Sequence, residues 1–201
     1  AVLTLHNLAS KLRKKRFAAG AISFERPEMK VEVDEKGRPV NVYQKVTKEA
    51  NWLIEEFMLL ANRTVAEFVA TGCRGTGDAP AKGARKPAKT IVYRVHDEPN
   101  QEKVENLRNF IGNFGYKMGP TNSGKEISKE LNSLFAAAKD TPEYNAIELL
   151  SLRTMAKARY DTENLGHYGL AFKYYTHFTS PIRRYPDMLV HRLLAQYLEG
   201  G

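Results

Sequence analysis

The sequence has one cysteine and no long apolar stretch, and each of these excludes a class of protein. Because Cys73 stands alone among 201 residues, no disulfide framework can form within one chain, and we expect a reducing compartment, the cytoplasm. No apolar run approaches the roughly 20 residues that a bilayer-spanning helix needs. No secretory signal pattern is visible either, so a membrane partner is not expected. The chain starts at Ala1 inside a helix-period pattern, which fits a piece of a longer protein and equally a processed terminus.

A complete catalytic apparatus is also missing from the residue spacing. The five histidines show no zinc-site spacing with the cysteine, and no G-x-S-x-G nucleophile elbow occurs. Phosphodiester hydrolysis with two metals needs clustered carboxylates that hold cations about 4 Å apart. The available acidic residues form scattered pairs without D-x-D density: Asp34/Glu35, Glu55/Glu56, Asp97/Glu98 and Asp161/Glu163. We therefore predict no metal site within this chain.

The net charge of +8 and a pI near 9.5 favour a polyanionic partner. Residues 73–89 weaken that inference, because they hold five bases and one acid, and so account for half of the excess charge. This segment is rich in Gly, Ala and Pro and has no apolar periodicity. It is predicted to be a disordered basic insertion.

Elsewhere, apolar periodicity predicts an α+β fold that is mostly helical, with a small antiparallel hairpin. The hairpin is expected where residues 29–46 alternate around an Asp-Glu-Lys-Gly turn at 34–37. An aromatic-rich segment at 167–178 favours strand or extended loop. Helices are expected near residues 3–16 with Gly20 as a C-terminal cap, at 48–70, 100–111 and 125–138, from 141 to about 160, and from Pro186 onward.

Five basic residues close the first of these helices: Lys11, Arg13, Lys14, Lys15 and Arg16. Cations in a last turn complement the helix dipole, which is a structural explanation for the cluster. Contact with RNA is an alternative of equal weight.

The stretch GPTNSGKE at 119–126 nearly matches the phosphate-binding P-loop, G-x-x-x-x-G-K-[ST]. Glu126 stands where a hydroxyl should bind magnesium, and its carboxylate would repel phosphates. No run of apolar strand-forming residues precedes the stretch. We interpret it as a Gly-rich turn before a helix, and an ATP site would require binding that is lost on Lys125→Ala.

The stretch HFTSPIRRYPD at 177–187 places two arginines just before a predicted helix. A helix N-terminus carries partial positive charge, so cations are disfavoured there. Two solvated arginines are one explanation. The other is an anion, held by backbone N–H groups and guanidinium groups together.

This stretch, extended to HFTSPIRRYPDMLVHR at 177–192, resembles the signature of the RNB-type exoribonucleases, the group of ribonuclease II and ribonuclease R. Within that group the chain looks most similar to the bacterial ribonuclease R branch. Four further stretches agree in order with this family: GAISF at 20–24, LIEEFMLLAN at 53–62, YRVHDEP at 93–99 and TENLGHYGLAF at 162–172. The resemblance runs nearly end to end, interrupted by residues 73–89.

The resemblance implies a magnesium-dependent enzyme that degrades single-stranded RNA processively from the 3′ end to nucleoside 5′-monophosphates. It also implies that this chain is only the later part of the RNB catalytic domain, because the family's metal-binding aspartates lie upstream of Ala1. Magnesium would then be bound outside this chain, and the chain alone would be inactive. Other partners, such as a ribosome or RNA-decay factors, are not identified by the sequence.

The resemblance also assigns roles to individual residues. Arg183 matches the family arginine that steadies charge on the phosphate under attack, and Arg184 and Ser180 would bind neighbouring phosphates. For Arg183 the structural alternative is an ion pair with Asp187 or Glu163. For Arg184 it is a plain surface position.

Two further residues match the family's RNA channel. Phe24 matches an aromatic that stacks on the 3′-terminal base, while burial in the core is its alternative. Glu55 matches a glutamate at the end of the channel, and is otherwise an ordinary exposed helix residue. In the family Ser23 is more often acidic. A non-catalytic RNA-binding or scaffold module derived from an RNB domain is the alternative function.

Overall fold

The computed structural model describes residues 1–24, 28–45, 47–72, 89–121 and 123–200. It confirms a mostly helical α+β fold. Helices are α1 (Val2–Ala18), α2 (Glu49–Thr71), α3 (Gln101–Gly112), α4 (Gly124–Ala138), α5 (Tyr144–Thr154) and α6 (Tyr185–Leu198). Strands are β1 (Glu28–Val33), β2 (Pro39–Lys45), β3 (Tyr93–Val95) and β4 (Arg159–Asp161). Of the predicted basic insertion, residues 73–88 lie outside the described part of the chain.

The first helix ends as its glycine predicts. Gly20 has a φ of +105°, a backbone conformation that residues with a side chain rarely adopt. The N–H of Gly20 bonds to the carbonyl of Phe17 at 3.0 Å, and the N–H of Ala21 bonds to that of Arg16 at 3.2 Å. This pair of bonds is a Schellman motif, which satisfies carbonyls that the end of a helix would otherwise leave unpaired.

Strands β1 and β2 form the predicted antiparallel hairpin. Asp34 organises its turn, because its side chain accepts the backbone N–H groups of Lys36 and Arg38, both at 2.9 Å. The same backbone hydrogen bonds, that of Arg38 first, lower the pKa of the Asp34 carboxyl. Gly37 supplies the positive φ of +75° that the turn needs.

The apolar residues form two clusters. In the first, α3, α4 and α5 pack together around fully buried residues such as Ile111, Ile127 and Ile147. In the second, Ala66 and Val69 of α2 and Val190 of α6 pack on β3. The second cluster therefore connects the long helix α2 with the helix that follows the arginine pair. Among the described residues, no helix is both long and apolar enough to cross a membrane.

The prediction of a helix reaching about residue 160 is wrong. Helix α5 ends at Thr154, and Met155 is already extended at φ −74° and ψ 146°. The chain then forms β4, which pairs antiparallel with β3 through partners such as Arg94 and Tyr160. The carbonyl of Ala156 also contacts Nε2 of His96 at 2.9 Å. These long-range bonds remove residues 155–160 from the helix.

Candidate nucleic-acid interface

The arginine pair lies in a tight turn directly before α6, as the sequence predicts. The carbonyl of Ser180 accepts the backbone N–H groups of Arg183 at 3.4 Å and Arg184 at 3.2 Å. Arg184 then caps α6 in an extended conformation, and Pro186 occupies the first turn of the helix. The turn is thus closed by its own backbone bonds, and the two guanidinium groups project from adjacent positions.

Asp187 ties this turn to the helix. Its side chain is fully buried, and Oδ1 accepts both the backbone N–H of Ser180 at 2.8 Å and Nη2 of Arg184 at 2.9 Å. Nε of Arg184 lies 2.8 Å from Oδ2 of the same carboxylate. The acid therefore compensates Arg184, a cation that the α6 dipole alone would disfavour.

Arg183 is different from its neighbour. Its side chain is exposed and makes no ion pair or side-chain hydrogen bond within the described residues. The alternative pairing with Asp187 belongs to Arg184 instead. Within the described residues, one guanidinium of the pair is thus exposed and without a compensating carboxylate.

An open cavity of about 400 Å³ lies beside this turn. One face of α2 forms a wall, since Asn51, Glu55, Met58 and Asn62 recur at helical spacing. The other lining residues are Ile54, Leu59, Tyr175, Thr179 and Arg184. The hydroxyl oxygen of Thr179 is buried there without a hydrogen-bond partner among the described residues. The cavity therefore combines a carboxylate, a guanidinium and a hydroxyl with apolar walls.

Glu55 and Arg184, which the sequence resemblance selects, are brought together in this cavity. The Glu55 side chain is 46% exposed, and Oε1 lies 3.1 Å from Nη2 of Arg16. Ser180 and Arg183 belong to the adjoining turn rather than to the cavity lining. Glu55 on α2 and Arg184 at the start of α6 therefore line one cavity.

Asn62 is a further residue of this cavity, and the sequence reasoning did not single it out. It is 3% exposed, and Oδ1 accepts the backbone N–H groups of Phe178 at 3.0 Å and Thr179 at 3.2 Å. Its Nδ2 donates to the hydroxyl of Tyr175 at 3.3 Å. The available signal was its spacing of seven residues from Glu55, which puts both side chains on one helix face.

Phe24 lies elsewhere. It is partly buried on the first apolar cluster, with its ring 5.5 Å from that of Phe135 at an interplanar angle of 58°. It does not line the cavity of Glu55 and Arg184. The side chain is therefore neither fully in the core nor free on the surface.

Comparison with known proteins decides the family. The sequence-family model of the RNB domain matches residues 1–200 of this chain. The chain belongs to the RNB domain family. Ribonuclease R of Aquifex aeolicus is 41% identical over 189 residues, a match that covers 94% of this chain and 24% of that protein. The chain thus spans about a quarter of the length of the curated relatives it matches.

Two solved structures show the same fold. Mycoplasma genitalium RNase R in complex with ribose-methylated single-stranded RNA matches with a TM-score of 0.80 and 31% identity, over 96% of this chain and 28% of that one. Yeast Ssd1, a pseudonuclease, matches with a TM-score of 0.60 and 27% identity, over 95% of this chain and 22% of that one. The fold thus occurs both in a ribonuclease and in a pseudonuclease.

The basic residues at the end of α1 are of two kinds, arginines that contact α2 and exposed lysines. Arg16 is 6% exposed and forms a buried ion pair with Glu56. Arg13 stacks over the rings of Phe17 at 4.8 Å and Trp52 at 4.7 Å. These two arginines therefore fasten α1 to α2. Lys11, Lys14 and Lys15 are exposed, and for them both explanations stay open.

Two histidines, His177 and His191, lie next to the turn, and each has a hydrogen-bond contact. Burial first, then the charge of Arg184, lowers the pKa of His177 to about 4. Its Nδ1 lies 2.8 Å from the hydroxyl of Tyr160. His191 stacks on Phe178 at 4.0 Å, and its Nε2 lies 2.8 Å from the Phe178 carbonyl. Both rings therefore support the segment that leads into the turn.

Side chains of the chain itself bond to the backbone at both ends of the stretch that resembles a P-loop. Gly124 begins α4, and a Cβ atom at this position would lie 2.5 Å from Oε1 of Glu98. Ser123 caps the helix by accepting the N–H of Glu126 at 3.4 Å, and the N–H of Gly119 bonds to Glu130 at 3.0 Å. The backbone N–H groups of Gly119 and Glu126, at the two ends of this stretch, are thus already paired, and the carboxylates of Glu98 and Glu130 lie beside it.

Proposed function

We propose that this chain is the later part of the catalytic domain of a 3′-to-5′ exoribonuclease, which hydrolyses single-stranded RNA processively to nucleoside 5′-monophosphates. The observation that carries the proposal is the exposed side chain of Arg183, which has no ion pair or side-chain hydrogen bond within the described residues and belongs to the turn that adjoins the cavity of Glu55 and Arg184. The names of the relatives support it, because they are ribonucleases R and one was solved with single-stranded RNA. The cytoplasmic location expected from the single cysteine is part of this proposal.

Arg183 is assigned the catalytic role. Charge builds up on the phosphate oxygens during hydrolysis, and a guanidinium aimed at them stabilises the transition state. A guanidinium without a competing carboxylate can also bind a phosphate without first breaking an ion pair. Arg183 meets that condition, whereas Arg184 is already bound to Asp187 through Nε and Nη2.

The remaining residues are assigned to RNA binding. Ser180 and Arg184 would contact phosphates next to the one attacked, and Glu55 would line the end of the RNA channel. Phe24 would stack on the terminal base through the part of its ring that Phe135 leaves uncovered. Stacking is worth about 1–3 kcal/mol per base and tolerates any sequence.

Magnesium fits this chain poorly. The described residues contain no group of three or more His, Cys, Asp or Glu side chains that could hold a metal ion. The carboxylate of Glu55 in the cavity is engaged by Arg16. We therefore assign the metal to aspartates outside this chain, as the family resemblance implies.

The experiment compares two purified samples on single-stranded RNA with magnesium, 5′-labelled to follow shortening and uniformly labelled to follow the released nucleotides. The full-length protein should shorten the RNA from its 3′ end and release nucleoside 5′-monophosphates. The 201-residue chain alone should release none. If the chain alone trims the RNA and Arg183→Ala abolishes that trimming, the metal site lies within the chain.

The similarity to yeast Ssd1 favours one second candidate, a non-catalytic RNA-binding module. The two candidates differ in the sequence upstream of Ala1. A D-x-x-x-x-x-D-x-D-D pattern there supports the enzyme. Its absence, together with RNA binding without product release, supports the module.

A further inference from the structure

We infer that Asn62 is a positioning residue of the proposed exoribonuclease, acting through Arg183. This inference rests on the proposed function and deepens it. Asn62 lies on α2, whereas Arg183 lies in the turn before α6, and no ion pair or side-chain hydrogen bond holds the Arg183 side chain within the described residues. The position of its guanidinium therefore depends on where the backbone of the turn is fastened.

Asp187 and Asn62 bond to backbone N–H groups at the two ends of the turn, and His191 of α6 also holds the carbonyl of Phe178. On the C-terminal side of the turn, the buried Asp187 accepts the N–H of Ser180 at 2.8 Å. On its N-terminal side, the single oxygen Oδ1 of Asn62 accepts the consecutive N–H groups of Phe178 and Thr179. Ser180 follows at once, and its carbonyl holds the N–H of Arg183 at 3.4 Å. A direct covalent and hydrogen-bonded path thus joins Asn62 to Arg183.

Hydrogen bonds at both ends of the Asn62 amide fix its orientation. Its amide cannot rotate freely, because Nδ2 is held by the Tyr175 hydroxyl while Oδ1 faces the two backbone donors. At 3% exposure it has little access to water as a substitute partner. Removing the side chain would therefore leave two partly buried N–H groups without this acceptor and remove the bonds from the turn to Asn62 of α2.

Removing the Asn62 side chain should slow the chemical step of RNA cleavage. A displacement of about 1 Å in a catalytic group can cost on the order of 100-fold in rate. RNA binding draws on many phosphate and base contacts, so it should change much less. A purely structural role would instead lower stability without a selective loss of turnover.

The test is a double-mutant cycle in the full-length protein, measured as single-turnover cleavage of single-stranded RNA and as RNA binding. Asn62→Ala should lower the cleavage rate about 10–100-fold, with the Kd for RNA within about 3-fold of the parent. In an Arg183→Ala background the same change should lower the rate by no more than about 2-fold further, because the two residues act as a unit. Asn62→Asp keeps the acceptor oxygen and should restore most of the lost rate.

Tyr116→Phe is the matched control. It removes a hydrogen bond of 3.0 Å to Glu143 far from the turn, and should affect neither the cleavage rate nor the cycle. If Asn62→Ala does not fold, Tyr175→Phe replaces it, since it frees Nδ2 of Asn62 and should produce a smaller loss of the same kind. The loss should again vanish in the Arg183→Ala background.

The outcomes separate the two hypotheses. If Arg183→Ala slows cleavage but the Asn62 effect is additive with it, or appears in Kd alone, Asn62 does not act through Arg183 and this inference is wrong. If Arg183→Ala itself leaves single-turnover cleavage unchanged, the proposed catalytic role is wrong instead.

Discussion

Replacing Asp187 should destabilise the chain far more than replacing Arg183, although both belong to one short stretch. In Asp187→Ala the N–H of Ser180 and the guanidinium of Arg184 lose their shared acceptor. Breaking a buried ion pair by removing one partner costs about 3–5 kcal/mol. Because the Arg184 side chain is 22% exposed, water can still reach it, so we expect the lower end, about 3 kcal/mol.

Arg183→Ala should change the free energy of unfolding by no more than about 0.5 kcal/mol, since its side chain is exposed and unpaired within the described residues. Urea unfolding of the 201-residue chain measures both variants, with the m value as a check on two-state behaviour. A loss of 3 kcal/mol corresponds to a fall in Tm of about 6–12 °C for a chain of this length.

Asp187→Asn serves as the control, because it keeps an oxygen for the Ser180 N–H and loses only the charge. Its destabilisation should fall between those of the other two variants. If Asp187→Ala and Arg183→Ala shift the urea midpoint equally, the claim that Asp187 stabilises the fold through Arg184 while Arg183 contributes little to stability is wrong.

Three further predictions follow from single observations. Gly20→Ala should destabilise the chain by about 1–2 kcal/mol in urea unfolding, because φ is +105° there; no change would contradict the cap. Arg16→Ala should cost about 3 kcal/mol in the same assay because it removes the close partner of the buried Glu56, which keeps only a longer contact of 3.8 Å with Arg13 among the described residues, whereas exposed Lys15→Ala should cost under about 0.5 kcal/mol; equal effects would contradict this explanation of the basic cluster. Since folding lowers the pKa of His177 from 6.5 to about 4, the unfolded chain binds more protons between these values, and stability should fall as the pH drops from 6.5 towards 4. His177→Asn should reduce the slope of that part of the stability curve measured by urea unfolding, while the lowered pKa values of His167, about 3, and of His96 maintain the rest. An unchanged slope would refute the assignment.

Much of the fold could be predicted because its signals are local. The glycine at 20, the Asp-Glu-Lys-Gly turn and the proline in the first turn of the last helix each determine backbone geometry within a few residues. The end of α5 could not be predicted in this way. It depends on the pairing of β4 with β3, whose partners lie more than 60 residues apart in sequence, such as Arg94 and Tyr160.

The candidate site was only partly predictable for a similar reason. Family resemblance selects Arg183, Arg184 and Glu55, and the structure brings the last two to one cavity. The resemblance does not reveal which arginine is paired, because that depends on the distance between Arg184 and Asp187 after folding. Asn62 was missed because its one sequence signal, the spacing of seven residues from Glu55, does not show that its amide is buried and bonded to the turn.

The central claim is that Arg183 stabilises charge on the scissile phosphate. Single-turnover cleavage of a poly(A) substrate by the full-length protein and its Arg183→Ala variant tests it most directly, with RNA binding measured in parallel. We predict a loss of cleavage rate of about 100-fold or more, with binding little changed. An unchanged cleavage rate in a folded variant that still binds RNA would contradict the claim.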